Sequence, residues 1–70
     1  MTIDGIDGFE PYMDDGFQKI VQTKNGRLSI RHGGRGLFVN DDGPFEVWYP
    51  ENDEPSGYQS AEDIKKYLNR

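Results

Sequence analysis

The chain has 70 residues, no cysteine, one histidine and a net charge of −5. That length holds one small domain, and the missing cysteines exclude a disulfide framework and a thiolate zinc site. No apolar run approaches the ~20 residues of a membrane-spanning helix, and no signal-peptide pattern opens the chain, so the expectation is a single acidic, cytoplasmic domain.

Residues 1–16 read as an irregular acidic arm. Gly5, Gly8, Pro11 and Gly16 interrupt any helix, and Asp4, Asp7, Glu10, Asp14 and Asp15 stand there without a base. Ile3, Ile6, Phe9, Tyr12 and Met13 are too apolar for a plain tail, so the arm is expected to pack on the sheet or on a partner.

The folded domain is expected over 17–70. Phe17 to Lys24 alternates as a strand, Asn25-Gly26 supplies a hairpin turn, and Arg27 to His32 returns. A two-residue loop at Asn25-Gly26 pairs Val21 with Ile30 and puts Val21, Leu28 and Ile30 on one face. Gly33-Gly34 can turn the chain again, pairing Ile30 with Leu37 and Leu28 with Val39 on that same face. A five-residue loop, Asn40 to Pro44, then keeps Phe45, Val47 and Tyr49 on the core side and Trp48 on the other. Pro50 to Gly57 reads as loop. Ser60 caps a helix from Ala61 to about Leu68, with Glu62 and Asp63 in its first turn and Lys65 and Lys66 near its end. Ile64, Tyr67 and Leu68 form its apolar stripe.

The predicted fold is α+β: a four-stranded antiparallel meander with one C-terminal helix packed on one face. Its predicted core is Val21, Leu28, Ile30, Leu37, Val39, Phe45, Val47, Tyr49, Ile64 and Leu68.

The opposite face receives Ile20, Arg31, Phe38 and Trp48, which is unusually apolar for a sheet face left in water. Three readings are open. The N-terminal arm covers it, with Ile3, Ile6 or Phe9 as the lid. It binds a protein, since Trp and Arg are common interface anchors. Or it binds single-stranded nucleic acid, with bases on Phe38 and Trp48 and phosphates on Arg27, Arg31 and Arg35.

Few residues suggest chemistry. His32 has no cysteine or second histidine to join it in catalysis or metal binding. His32-Gly33-Gly34-Arg35-Gly36 lacks the Gly-Lys-Ser/Thr of a phosphate loop and reads as a turn, with the bare backbone of Gly36 a place for Trp48 to pack. Asp41-Asp42-Gly43 with Glu46 lacks the ligand spacing of a calcium loop. The expectation is no catalytic residue, no metal and no cofactor.

Charge is segregated along the chain. Residues 17–40 hold Lys19, Lys24, Arg27, Arg31 and Arg35 and no acid, whereas 41–64 hold acids and no base. Asp14, Asp15, Asp41, Asp42, Glu51, Asp53 and Glu54 are the candidates for meeting a basic partner in place of nucleic-acid phosphates.

Trp48-Tyr49 followed by Gly57-Tyr58-Gln59-Ser60-Ala61-Glu62-Asp63-Ile64-Lys65-Lys66-Tyr67-Leu68 resembles the ending of many small phage- and plasmid-encoded proteins, a strand leading to a Ser-capped amphipathic helix. In size and acidity the chain is similar in type to phage host-takeover proteins, including anti-CRISPR proteins. That resemblance implies a non-enzymatic inhibitor of a bacterial defence or nucleic-acid-processing complex. A single-stranded nucleic-acid binder and a minor structural protein, monomeric or homodimeric, are the alternatives.

Overall fold

The structure, a computed structural model, describes residues 1–13, 15–34 and 37–69. It is α+β, with five antiparallel strands in one sheet and a short C-terminal helix. The strands are β1 (Glu10–Tyr12), β2 (Gly16–Thr23), β3 (Gly26–His32), β4 (Phe45–Trp48) and β5 (Ser56–Gln59), and the helix is α1 (Ala61–Leu68). The sheet is a meander in the order β1-β2-β3-β4-β5.

The β2–β3 hairpin keeps the predicted face but not the predicted turn. Thr23 pairs with Gly26 and Val21 with Leu28, so Lys24-Asn25 is the loop and the register slides by two residues. An even slide leaves every side chain on its expected face. The Thr23 hydroxyl organises this turn, accepting from the Asn25 N–H at 3.2 Å and donating to the Gly26 carbonyl at 2.7 Å. Gly26 sits at φ +128°, and a Cβ there would lie 3.0 Å from Pro50.

The predicted third strand does not form. Gly33 and Gly34 have the expected positive φ, yet the strand that returns along β3 is β4. Ile30 pairs with Val47 and His32 with Phe45, not with residues 37–39. Leu37–Asn40 instead passes beside β5, where the Tyr58 N–H donates to the Phe38 carbonyl at 2.8 Å. Two glycines admit close backbone approaches around β5. A Cβ on Gly57 would lie 2.6 Å from the Phe38 carbonyl oxygen, and one on Gly43 2.3 Å from the Tyr58 carbonyl.

The fourth and fifth strands, counted against the prediction, come from segments read as irregular. β1 lies in the N-terminal arm, and β5 lies in and just after the 50–57 loop. β5 is a poor strand by local propensity. Its ladder is interrupted between Phe45 and Val47, and Tyr58 sits at φ +56°.

The core lies between one sheet face, the helix and the arm. Leu28, Ile30, Phe45, Val47 and Ile64 are buried as predicted, and Val21 and Tyr49 pack partly buried against them. Ile3, Ile6 and Phe9 join the same cluster, and Phe9 stacks on Phe45 at 5.8 Å. The arm therefore shares the helix side of the sheet and does not act as a lid on the opposite face. Residues 1–16 and 17–69 have one core between them. Leu37 and Val39, displaced with their segment, lie outside the buried cluster, and Leu68 is 41% exposed at the end of α1.

The helix matches its prediction closely. Ser60 and Asp63 form a reciprocal capping box, each side chain bonded to the other's backbone N–H. Tyr67 meets Tyr49 at 4.8 Å between ring centroids, and its hydroxyl donates to Glu51 Oε1 at 2.6 Å. Among the described residues no helix is long and apolar enough to cross a membrane.

Candidate interaction surface

Strand pairing brings the candidate residues of the face opposite the core into two adjacent rows. One row is Ile20, Ser29 and Trp48; the other is Glu10, Gln18, Arg31 and Glu46. Both follow from the alternation of side chains along a strand, which puts the partners of Leu28 and Ile30 inside and their neighbours outside.

Trp48 is 46% exposed, and its indole N–H donates to the Asn52 carbonyl at 3.0 Å. The loop after β4 therefore curls back and pins the ring, with its polar group satisfied and its apolar surface in water. Ile20, 40% exposed, lies one strand beyond Ser29 in the same row. A small recess beside the indole is lined by Ser29, Arg31, Glu46, Trp48 and Pro55.

Arg31 is engaged within the sheet. Its Nε donates to Gln18 Oε1 at 3.2 Å, a terminal nitrogen donates to the Tyr12 hydroxyl at 3.3 Å, and the guanidinium carbon lies 4.9 Å from the Tyr12 ring centroid. These contacts hold the guanidinium flat on the face and occupy donors that a phosphate would need. Phe38 comes alongside through its main chain, whose N–H donates to Glu46 Oε2 at 3.3 Å, while its side chain is 66% exposed.

The other described bases do not gather beside Arg31. Lys19 is on the core side, where its ammonium donates to the Asp7 carbonyl. Arg27, opposite Gln22, is on the open face and exposed. Arg35 lies outside the described residues, as do Asp14 and Gly36, the predicted neighbour of Trp48.

The acidic candidates form two groups rather than one. Asp15, at φ +63° in the β1–β2 turn, and Asp41 and Asp42, before β4, stand at the end of the sheet where β3 finishes and β4 begins. Glu51, Asp53 and Glu54 stand at the other end, on the loop that holds Trp48; Pro50 of that loop touches Gly26. Those carboxylates are exposed, and Glu51 is drawn to Tyr67.

The sequence did not single out a shallow groove of about 620 Å³ between α1 and the loop after β4, lined by Tyr49, Glu51, Asn52, Gln59, Asp63, Lys66 and Tyr67. Its hydroxyls are internally bonded, Tyr49 donating to Gln59 Oε1 at 2.7 Å. Burial and the nearby Asp63 and Tyr67 raise the Tyr49 pKa above its ordinary value, and the hydrogen bond to Glu51 raises that of Tyr67. Both tyrosines are neutral at physiological pH. His32 packs against Phe45 at 5.2 Å between centroids, and its Nδ1 has no hydrogen-bond partner among the described residues. No group of three or more metal-ligating side chains is found among the described residues.

Compared with protein-family models, curated proteins and solved structures, the chain matches none.

Proposed function

We propose that this chain is a non-enzymatic protein-binding module that docks through its open sheet face, centred on Trp48, onto a basic surface of a protein partner and blocks it. The observation that carries the proposal is the state of Trp48: half exposed, hydrogen-bonded to its own following loop, and bordered on that loop by Glu51, Asp53 and Glu54. A pre-positioned indole loses little rotamer freedom on binding, and tryptophan is among the residues most enriched at interface hot spots. The acids around it favour a partner rich in lysine and arginine. A nucleic-acid-processing complex has such a surface, and an inhibitor of one, of the kind phages encode, is the role we assign.

The single-stranded nucleic-acid reading has less support. Arg31 is engaged by Gln18 and Tyr12, and Lys19 faces the other side of the sheet. Titrating Trp48 fluorescence with oligonucleotides at low salt separates the two readings. The protein reading expects no quenching, and quenching that weakens steeply with salt favours nucleic acid. Once a partner is in hand, Trp48→Ala should weaken its binding by about 2 kcal/mol or more. Reversing Glu51, Asp53 and Glu54 should slow association and flatten its salt dependence. Unchanged affinity in both variants rejects the proposal.

A further inference from the structure

The groove between α1 and the loop after β4 is separate from the Trp48 face, yet the same loop builds both. Trp48 is exposed on the open face, whereas the next residue, Tyr49, packs against the core cluster and lines the groove. Asn52 accepts the Trp48 indole N–H at its carbonyl and also lines the groove. At about 620 Å³ the groove has the volume of a small-ligand cleft, ~300–1,000 Å³.

Two tyrosines and two carboxylates give this groove its character. Tyr49 and Tyr67 lie 4.8 Å apart between ring centroids, at an interplanar angle of 55°. Their hydroxyls are tethered, Tyr49 donating to Gln59 at 2.7 Å and Tyr67 to Glu51 at 2.6 Å. The rings are therefore in place before a ligand arrives, and ordering them costs little on binding.

Glu51 and Asp63 bring two negative charges against the single ammonium of Lys66 among the described lining residues. Asp63 spends Oδ2 on the backbone N–H and hydroxyl of Ser60, at 2.9 and 3.0 Å. Its Oδ1 receives no hydrogen bond among the described residues. The tyrosines respond to these acids. After burial, Asp63 is the next cause that raises the Tyr49 pKa, and the hydrogen bond to Glu51 raises that of Tyr67. A negative field that disfavours phenolate attracts a cation into the same space.

We infer that the groove seats an arginine side chain of a protein partner, its guanidinium laid on the tyrosine rings and forked toward Asp63 and Glu51. The source of that arginine rests on the basic partner proposed above. A guanidinium suits the groove better than an ammonium does. It is planar, stacks on aromatic faces, offers five donors in a fixed fork and is weakly hydrated, so it loses less on entering a shallow site. The same two acids disfavour a phosphate or carboxylate ligand.

Titrating the full chain with acetyl-Gly-Arg-Gly-amide, whose sole charge is the guanidinium, tests this by amide NMR, with the lysine and glutamine analogues alongside. The expected result is saturable shifts at Asn52, Asp63 and Tyr67 with a dissociation constant in the millimolar range, weaker binding of the lysine peptide and none of the glutamine peptide. Glu51→Gln, which keeps an acceptor for the Tyr67 hydroxyl, should weaken binding about fivefold, and Lys66→Gln should strengthen it about threefold. Asp41→Asn removes the same charge at the other end of the sheet and should leave binding unchanged. No saturable shift up to about 100 mM peptide overturns the inference. So does equal binding of the lysine peptide, or an Asp41→Asn effect as large as that of Glu51→Gln. The titration uses no partner, so its failure is distinct from a failure of Trp48 to hold one.

Discussion

Gly43→Ala is the sharpest test of how the chain after β3 reaches its place. Gly43 is buried, and a Cβ built there lies 2.3 Å from the Tyr58 carbonyl carbon and oxygen and 2.7 Å from Tyr58 Cα. Its φ lies outside the left-handed region, so alanine meets no backbone penalty. On chain entropy alone, alanine would stabilise the fold by about 0.4–1 kcal/mol. The clash opposes this with backbone atoms, which cannot swing aside as a side-chain tip can. Overpacking of this kind costs ~1–3 kcal/mol, and backbone contact at this distance belongs at the upper end. The net expectation is a loss of about 2 kcal/mol, which in a domain this small lowers Tm by roughly 8–16 °C. Gly33→Ala is the control: its nearest atoms stand 3.8 and 3.9 Å away, so its smaller cost comes from φ +70° alone. Thermal melts followed by circular dichroism measure both. A Gly43→Ala midpoint within about 3 °C of the parent would refute the seating of Gly43 against the Tyr58 backbone.

Other expectations concern the arm and the helix cap. Phe9, 2% exposed and stacked on Phe45, should cost ~3–5 kcal/mol when cut to alanine, a large share of the stability of a 70-residue chain. An arm that merely lies on the surface would shift the denaturation midpoint little, and urea unfolding tells the two apart. The capping hydrogen bonds, first from the Ser60 backbone N–H and then from its hydroxyl, hold the Asp63 carboxyl below its ordinary pKa of 3.8. Its contribution is therefore complete above that value and is lost as pH falls through the lower, folded one. Asp63→Asn should lower Tm at neutral pH and make the fall in Tm below about pH 4 shallower than in the parent. Equal slopes in the two proteins would remove Asp63 from the acid response. Asp7 is lowered too, first by the Thr2 hydroxyl, so part of the acid sensitivity should persist in that variant.

Short-range signals carried the elements that formed as expected. Ser60, with acids in the first turn and bases near the end, marked α1, and alternation around Val21, Leu28 and Ile30 marked the β2–β3 hairpin with its correct inner face. Phe45 and Val47 fall inside and Trp48 outside as expected, although the strand that the Asn40 to Pro44 loop was to follow does not form. What failed depended on tertiary contacts. Gly33-Gly34 looked like a tight hairpin, and Leu37 and Val39 had suitable parity, yet Phe45 and Val47 bury more apolar surface beside β3. β5 contains a glycine and a residue at positive φ, so its pairing comes from β4 rather than from its own residues. The core role of Ile3, Ile6 and Phe9 was visible only as surplus hydrophobicity in an arm rich in glycine and aspartate. Of the candidate surface, alternation placed Ile20 and Arg31 on one face and the preference for burying Phe45 and Val47 placed Trp48 there, whereas Phe38 falls outside the strands, and the engagement of Arg31 by Tyr12 required the unforeseen β1.

The claim that Trp48 anchors a protein partner is tested most directly by a paired affinity capture from nuclease-treated bacterial lysate, with wild-type and Trp48→Ala proteins as baits of equal thermal stability. The expected capture is a basic protein or complex that the wild type retains, that rising salt releases, and that the Trp48→Ala bait fails to hold. Identical capture by both baits, or complete loss of the captured material on nuclease treatment, would contradict it.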